Sequence, residues 1–263
     1  MTETSKVTDT MRLLQPSWSA PASVFALVTT RQGGVSNAPF DTFNLALHVN
    51  DNPVDVATNR ALLQELLDGQ IHLQWLAQVH GTEVVHAERG KGERGGDAVF
   101  IDTMGVAGAV LTADCLPVFF AARDGRSVAV AHAGWRGLAD GILEQTLARF
   151  PVPTSEIIAW LGPAIGPCHF EVGAEVREIF IDSTVDEQLR SRISADGFRP
   201  GLKAGKYLAD LYAIARIRLL ALGVVNVTGG GWCTHCDTSR FYSYRRDGVT
   251  GRMASVIGLR PSS

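Results

Sequence analysis

The chain has 263 residues, 46% of them hydrophobic and 19% charged, with 24 basic against 27 acidic side chains and a net charge of −3. A chain this long buries about 70–75% of its unfolded surface, needs no disulfide or metal staple to fold, and has a composition that excludes intrinsic disorder. With no basic excess to recruit nucleic acid or a membrane surface, the expected partner is a small molecule, bound by a monomer or small homo-oligomer.

Residues 1–23 read as an N-terminal extension, ordered only in part, ahead of a single domain over 24–260. The first ten residues are polar, and Gln15, Pro16 and Ser17 interrupt the stretch from Met11, so no secretory signal is expected. Val24 to Thr29 reads as a strand ending in the turn-like run Arg31 to Gly34. Asn52 and Pro53 read as N-cap and first position of a helix whose apolar face is Val56, Leu62, Leu63, Leu66 and Leu67, with Gly69 as its stop. Trp75 to His80 and Thr82 to Ala87 are predicted strands around Gly81, followed by a charged, glycine-rich loop over 89–96 and a short buried strand from Ala98 to Ile101. Met104 to Ala122 is nearly long and apolar enough to cross a membrane. Asp114 near its middle and Pro117 argue instead for buried strand, functional turn and more buried chain.

Ser127 to His132 is a further strand, and Leu138 to Phe150 a helix stopped by Pro151 and Pro153. Ile157 to Leu161 is a strand and Ala174 to Phe180 a helix. Leu208, Leu211, Ala215, Leu219 and Leu222 recur at helical spacing, predicting a helix from Tyr207 to Leu222 closed by Gly223. Val224 to Thr228, Phe241 to Tyr244 and Ala254 to Leu259 complete the strands. Strands and helices mix without a clean βαβ period, so a single mixed α/β domain is expected.

Three apolar runs each end in a metal-capable side chain followed by a turn: Leu76 to Gly81 with His80, Leu111 to Cys115, and Val130 to Gly137 with His132. Strand ends are rigid places from which to present chemistry. Two imidazoles and one thiolate suit Zn²⁺, with a fourth position left for water or substrate. The ligands are far apart in sequence, so spacing alone favours a buried structural cysteine and two satisfied histidines. The four cysteines are too sparse for a disulfide scaffold and fit a reducing, cytoplasmic setting. Cys233 and Cys236 form a C-x-x-C; a redox or zinc reading needs further partners, which Cys168 and His169 could supply, and packed cysteines are the expected outcome.

The segments TTRQGGVS (29–36), NLALHVNDN (44–52), QVHGTEV (78–84), DAVFID (97–102), LTADCLPV (111–118), AHAGWRGL (131–138), GPAIGPCHFEVG (162–173) and FYSYRRDG (241–248) closely resemble the YfiH-like, laccase-domain family over nearly the whole chain. Its members are variously described as purine nucleoside phosphorylases, peptidoglycan editing factors or polyphenol oxidases. The resemblance implies a four-layer α/β/β/α fold and a zinc site whose ligands map onto His80, Cys115 and His132. It further implies phosphorolysis of adenosine, inosine, guanosine or methylthioadenosine, and deamination of adenosine. For such chemistry Asp114 is a candidate proton shuttle or, equally, a turn-capping carboxylate. Arg31 beside Gly33 and Gly34, and Arg136 after His132, are candidate phosphate ligands. Asn44 and His48 are candidates to line a nucleoside pocket. The rival readings are a Cys/His hydrolase that edits cytoplasmic peptidoglycan precursors, a copper-dependent phenol oxidase and a non-catalytic binding module. Copper oxidation is disfavoured by a total of seven histidines with no His-x-His pair.

Overall fold

The computed structural model describes residues 13–67 and 69–261. In chain order its strands are β1 (Val24–Val28), β2 (His72–Gln74), β3 (Leu76–Ala77), β4 (Val84–His86), β5 (Arg94–Gly95), β6 (Ala98–Ile101), β7 (Val106–Thr112), β8 (Leu116–Ala122), β9 (Val128–Ala133), β10 (Ile157–Leu161), β11 (Glu171–Gly173), β12 (Phe198–Pro200), β13 (Lys206–Ala209), β14 (Asn226–Gly229) and β15 (Met253–Leu259). Its helices are α1 (Pro53–Leu66), α2 (Trp135–Asp140), α3 (Ile142–Leu147), α4 (Ala174–Asp182), α5 (Glu187–Asp196), α6 (Leu211–Ala221) and α7 (Tyr244–Asp247). Most of residues 1–23 that were read as an extension, namely 1–12, lie outside the described residues. Of the rest, Leu14 pairs with Val28, Trp18 meets the edge of Phe119, and Ser23 bonds the carbonyl of Gly125.

Two sheets arise from runs that are apolar at every position. Such strands need cover on both faces, because successive side chains point to opposite sides. In β6, Val99 and Ile101 point one way, into a core shared with Val106 and Val110 of β7, Phe119 of β8, Val130 of β9 and Ile257 of β15. Ala98 and Phe100 point the other way, onto Leu138, Leu143, Ile214 and Leu219 of the helices. In β7, Ala107, Ala109 and Leu111 turn away from the shared core and meet Phe43, Leu45 and Leu63 on the far side. A four-stranded sheet of order β1-β15-β7-β2 therefore lies on a six-stranded sheet of order β14-β10-β8-β9-β6-β4, with helical cover outside each. This is the expected four-layer α/β/β/α arrangement with mixed sheets. It also accounts for the membrane-like run: β7 and β8 are fully buried strands in different sheets, and no helix among the described residues is long and apolar enough to cross a membrane.

Several elements depart from the sequence reading for identifiable reasons. The single helix expected over 138–150 begins earlier and splits into α2 and α3, because Gly141 adopts a left-handed φ of 97° between them. The helix expected from Tyr207 begins at Leu211: Asp210 caps it by accepting from the Ala213 amide, and Lys206–Ala209 pairs as β13 with β11 and β12. Phe241–Tyr244 is not a strand. Phe241 and Tyr242 are fully buried beside Ala113 and Met253, and Ser243 caps the short α7. The glycine-rich loop carries β5, parallel to β3. Helix α5, polar along most of its length, was not anticipated.

Candidate functional site

Strand register brings the site together. β8 and β9 run antiparallel with Leu116 opposite Ala133 and Pro117 opposite His132, so Cys115, one residue before β8, sits beside the end of β9. β6 pairs with β9 so that Ala98 faces Ala131, which sets Asp97 alongside His132, whose amide donates to the Asp97 carbonyl at 2.7 Å. His80 comes after β3 in a turn where its own φ is 61°. Gln78 fixes that turn to β7, its side-chain amide donating to the Leu111 carbonyl at 2.9 Å and accepting from the Leu111 amide at 2.7 Å. As a result the ligand atoms of His80, Cys115 and His132 all lie within 4.8 Å of one another, inside one coordination sphere.

Asp97, to which the sequence reading gave no role, organises this group. Its fully buried carboxylate accepts from the amides of Val79 (3.2 Å), His80 (2.9 Å) and Gly81 (2.7 Å), and from His132 Nδ1 at 2.9 Å. Burial opposes its charge, but hydrogen bonds from His132, Gly81 and Val79 outweigh burial and hold it below the usual carboxylate range. With Nδ1–H anchored on Asp97, Nε2 of His132 is the nitrogen a metal ion would take in place of its proton, the arrangement that orients metal-bound histidines. Burial also opposes ionisation of Cys115, but the charge and hydrogen bond of His132, with a further bond from His80, pull its thiol down to about 6. In turn, desolvation of His132 is outweighed by the Cys115 thiolate and the bond to Asp97, which raise it to about 9. A depressed thiol is the state a metal ligand requires. Gly134 closes the cradle: a Cβ there would lie 3.1 Å from Cys115 Sγ, 3.3 Å from His80 Cδ2 and 3.4 Å from His132 Nε2. The donor set and its spacing fit a metal ion.

The other predicted residues are spread around this group. Asp114, at φ 89°, accepts from Thr234 Oγ1 (2.6 Å) on one oxygen and from Ser243 Oγ (3.0 Å) and the Arg245 amide (2.7 Å) on the other. Asn44 is fully buried and holds its own loop, bonding Ala46, Asp51 and the Arg252 amide. His48 is on the surface of a cavity of about 280 Å³ that reaches Gln78 and Leu111. Partial burial, and after it the charge of Arg252, lower its pKa. Arg136 is exposed in the first turn of α2, its guanidinium 4.3 Å over the Trp135 ring. Arg31 lies apart from these, in a cavity of about 330 Å³ with Asp41 and Thr238, bonded to both and paired with Asp41 at 3.2 Å. Arg252 was also missed: burial lowers its pKa against the opposing charges of Cys115 and Asp114, and its own charge helps lower that of His48. Only an acid set immediately before a wholly apolar strand hinted at Asp97, and nothing local hinted at Arg252.

A protein family described as multi-copper polyphenol oxidoreductase laccase matches residues 25–260. The chain belongs to this family. Within it, the chain is 51% identical over 247 residues to a Pseudomonas aeruginosa protein named purine nucleoside phosphorylase, covering 94% of this chain and 98% of the relative. It is 46% identical over 249 residues to the Escherichia coli protein named purine nucleoside phosphorylase YfiH, covering 94% and 99%. The crystal structure of a Neisseria meningitidis protein of the DUF152 group superposes with a TM-score of 0.88 at 47% identity, covering 94% of this chain and 99% of that one. The YfiH-like laccase-domain resemblance read from the sequence is therefore correct.

Proposed function

We propose that the chain is a zinc-dependent purine nucleoside phosphorylase of the cytoplasm, acting on adenosine, inosine, guanosine and methylthioadenosine, and that it also deaminates adenosine to inosine. The observation that carries this reading is the Asp97-organised group of His80, Cys115 and His132 in a chain alike end to end with relatives named purine nucleoside phosphorylase. Zinc suits one thiolate and two imidazoles with a fourth position open, and when bound it supplies a Lewis acid that makes water acidic near neutral pH.

The chain's own residues do the remaining work in this reading. Asp97 holds His132 in one tautomer and fixes the backbone of His80. Asp114 moves protons, with the Thr234 and Ser243 hydroxyls as the next positions along the path. One of two arginines holds the phosphate: Arg136, two residues beyond Gly134, or Arg31 in its separate cavity. His48 lines the nucleoside pocket, and Asn44 sets the loop that carries His48.

The test is a panel of nucleosides incubated with and without phosphate and read by mass spectrometry. Free base and ribose 1-phosphate should form only with phosphate, and inosine should form from adenosine without it. No turnover of any nucleoside would end this reading. A second reading is supported by one geometric fact: Cys115 lies beside a histidine whose other nitrogen is held by a buried aspartate, the order of groups in a thiol hydrolase. In that case activity on a peptidoglycan precursor survives full chelation.

A further inference from the structure

We propose that Cys168, His169, Cys233 and Cys236 bind a second metal ion, a four-coordinate structural Zn²⁺ separate from the His80–Cys115–His132 group. The expectation of packed cysteines fails here, since Cys168 and Cys236 are exposed and Cys233 half-buried, yet all four donor atoms gather within 4.8 Å of one another. Cys168 Sγ lies 3.5 Å from Cys233 Sγ and 3.6 Å from Cys236 Sγ, and His169 Nδ1 lies 3.3, 4.0 and 3.2 Å from the sulfurs of Cys168, Cys233 and Cys236. Bonds of about 2.3 Å to sulfur and about 2.0 Å to nitrogen put the edges of a tetrahedron at about 3.5–3.8 Å. The observed edges bracket that size.

The backbone around the four is built for close approach. The amides of Cys236 and Asp237 both donate to the Cys233 carbonyl, at 3.1 and 3.0 Å, making a tight turn of the C-x-x-C. The amides of His169 and Phe170 both donate to the Gly166 carbonyl at 3.1 Å, making a second turn, and the Gly166 amide donates to Cys233 Sγ at 3.3 Å. Any side chain at 166 would meet this contact, its Cβ falling 3.1 Å from Cys233 Cβ and 3.4 Å from the sulfurs of Cys168 and Cys233. His235 stacks on His169 at 3.9 Å and 14°, fixing the ligand ring from outside. Three thiolates, a neutral imidazole and Zn²⁺ carry a net charge of −1. Arg245 donates to the carbonyls of His169 and Glu171 and so sets its cation against that charge, while Arg246, which donates to the carbonyls of Thr234 and His235, is itself paired with Asp247 at 2.7 Å.

Three thiolates exclude hard cations, and four protein ligands leave no position for substrate, which marks the site as structural. What it would fasten is specific. Thr234, inside the C-x-x-C, donates to Asp114, and Asp114 adjoins Cys115. The second ion thus clamps the 162–170 and 231–237 segments and steadies the turn that presents the first group.

The experiment counts zinc per chain in exhaustively buffer-exchanged full-length protein, by inductively coupled plasma mass spectrometry. The variants are Cys115→Ser, the Cys233→Ser/Cys236→Ser double, and all three together. About two zinc ions are expected in the wild type, about one in each of the first two variants and none in the last. Should the double variant not fold, His169→Ala and the sulfur coordination number from X-ray absorption on Cys115→Ser protein replace it, with three sulfurs per zinc expected. One zinc that disappears in Cys115→Ser protein but persists in the double variant overturns the proposal. So does a mass two hydrogens short in freshly purified wild type, which would place these cysteines in a disulfide. One zinc that persists in Cys115→Ser protein and is lost in the double variant supports this site and sinks the zinc at His80 instead, so the two readings fail separately.

Discussion

Cys115 is asked to be a ligand, and that role has its own signature. If it holds zinc, Cys115→Ser abolishes turnover and the metal of the His80–Cys115–His132 group, and an alkylating reagent modifies Cys115 only after chelation; alkylation of the fully loaded protein at the same rate would show the thiol to be free. Asp97 makes a sharper case, because it touches no substrate. Asp97→Asn keeps the shape but offers an N–H where amides already donate, so metal affinity by chelator competition should fall about 10–100-fold. An unchanged affinity would reduce Asp97 to a prop for the fold. Arg31 is tested by comparing two reactions in one preparation, which cancels any loss of folded protein. A charge-assisted phosphate contact is worth about 1.5–3 kcal/mol, so Arg31→Ala should slow phosphorolysis of inosine about 10–150-fold and adenosine deamination far less. Equal losses would remove the phosphate assignment, and the same comparison on Arg136→Ala decides between the two arginines.

At the scale of elements, the site depends on where strands stop and on the residues just beyond their ends. Gly134 comes directly after β9 and faces all three donors, so Gly134→Ala presses a methyl group onto Cys115, His80 and His132. Metal affinity should drop at least about tenfold while urea unfolding of the chelated protein shifts by no more than about 1–3 kcal/mol, the cost of an added methyl group at a buried position. The reverse pattern would place Gly134 in the fold rather than the site. Much of this arrangement was legible in the sequence. Runs apolar at every position mark β6, β7, β9 and β10 as strands and β8 as buried chain, and Asn52 with Pro53 marks the start of α1, because those signals are local. The failures were contests between local signals: Leu208 fits a helical period, yet Asp210 caps the helix and two strands claim the residues before it. The three donors were legible only as strand ends, and their meeting was not, since it rests on Pro117 falling opposite His132. The role of Asp97 was hidden for the same reason: its partners come from 79–81 and from His132, none of them neighbours in sequence.

Over the whole molecule, stability resides in the layer between the two sheets, where Phe119 packs edge-on to Trp160 at 5.2 Å and to Trp18 at 6.5 Å. Phe119→Ala should cost about 3–5 kcal/mol in urea unfolding, and a loss below about 1 kcal/mol would mean that the sheets close over the gap. The crossing between those sheets has a further consequence. Residues 113–115 alone carry the chain from β7, locked to β15 with Thr112 opposite Met253, to β8, locked to β9 with Leu116 opposite Ala133. Both ends of the crossing are thus indexed to fixed partners, and the span has no slack. A single alanine inserted between Thr112 and Leu116 must either bulge out of the bend, displacing Asp114 and Cys115, or slip one sheet by a residue, so metal content or soluble expression should be lost. The same insertion beside Leu202, fully exposed in the 201–205 loop, should leave both expression and metal content unchanged. Length, and not only chemistry, therefore matters at the bend that bears Cys115, and added length should be tolerated at places such as 201–205 instead.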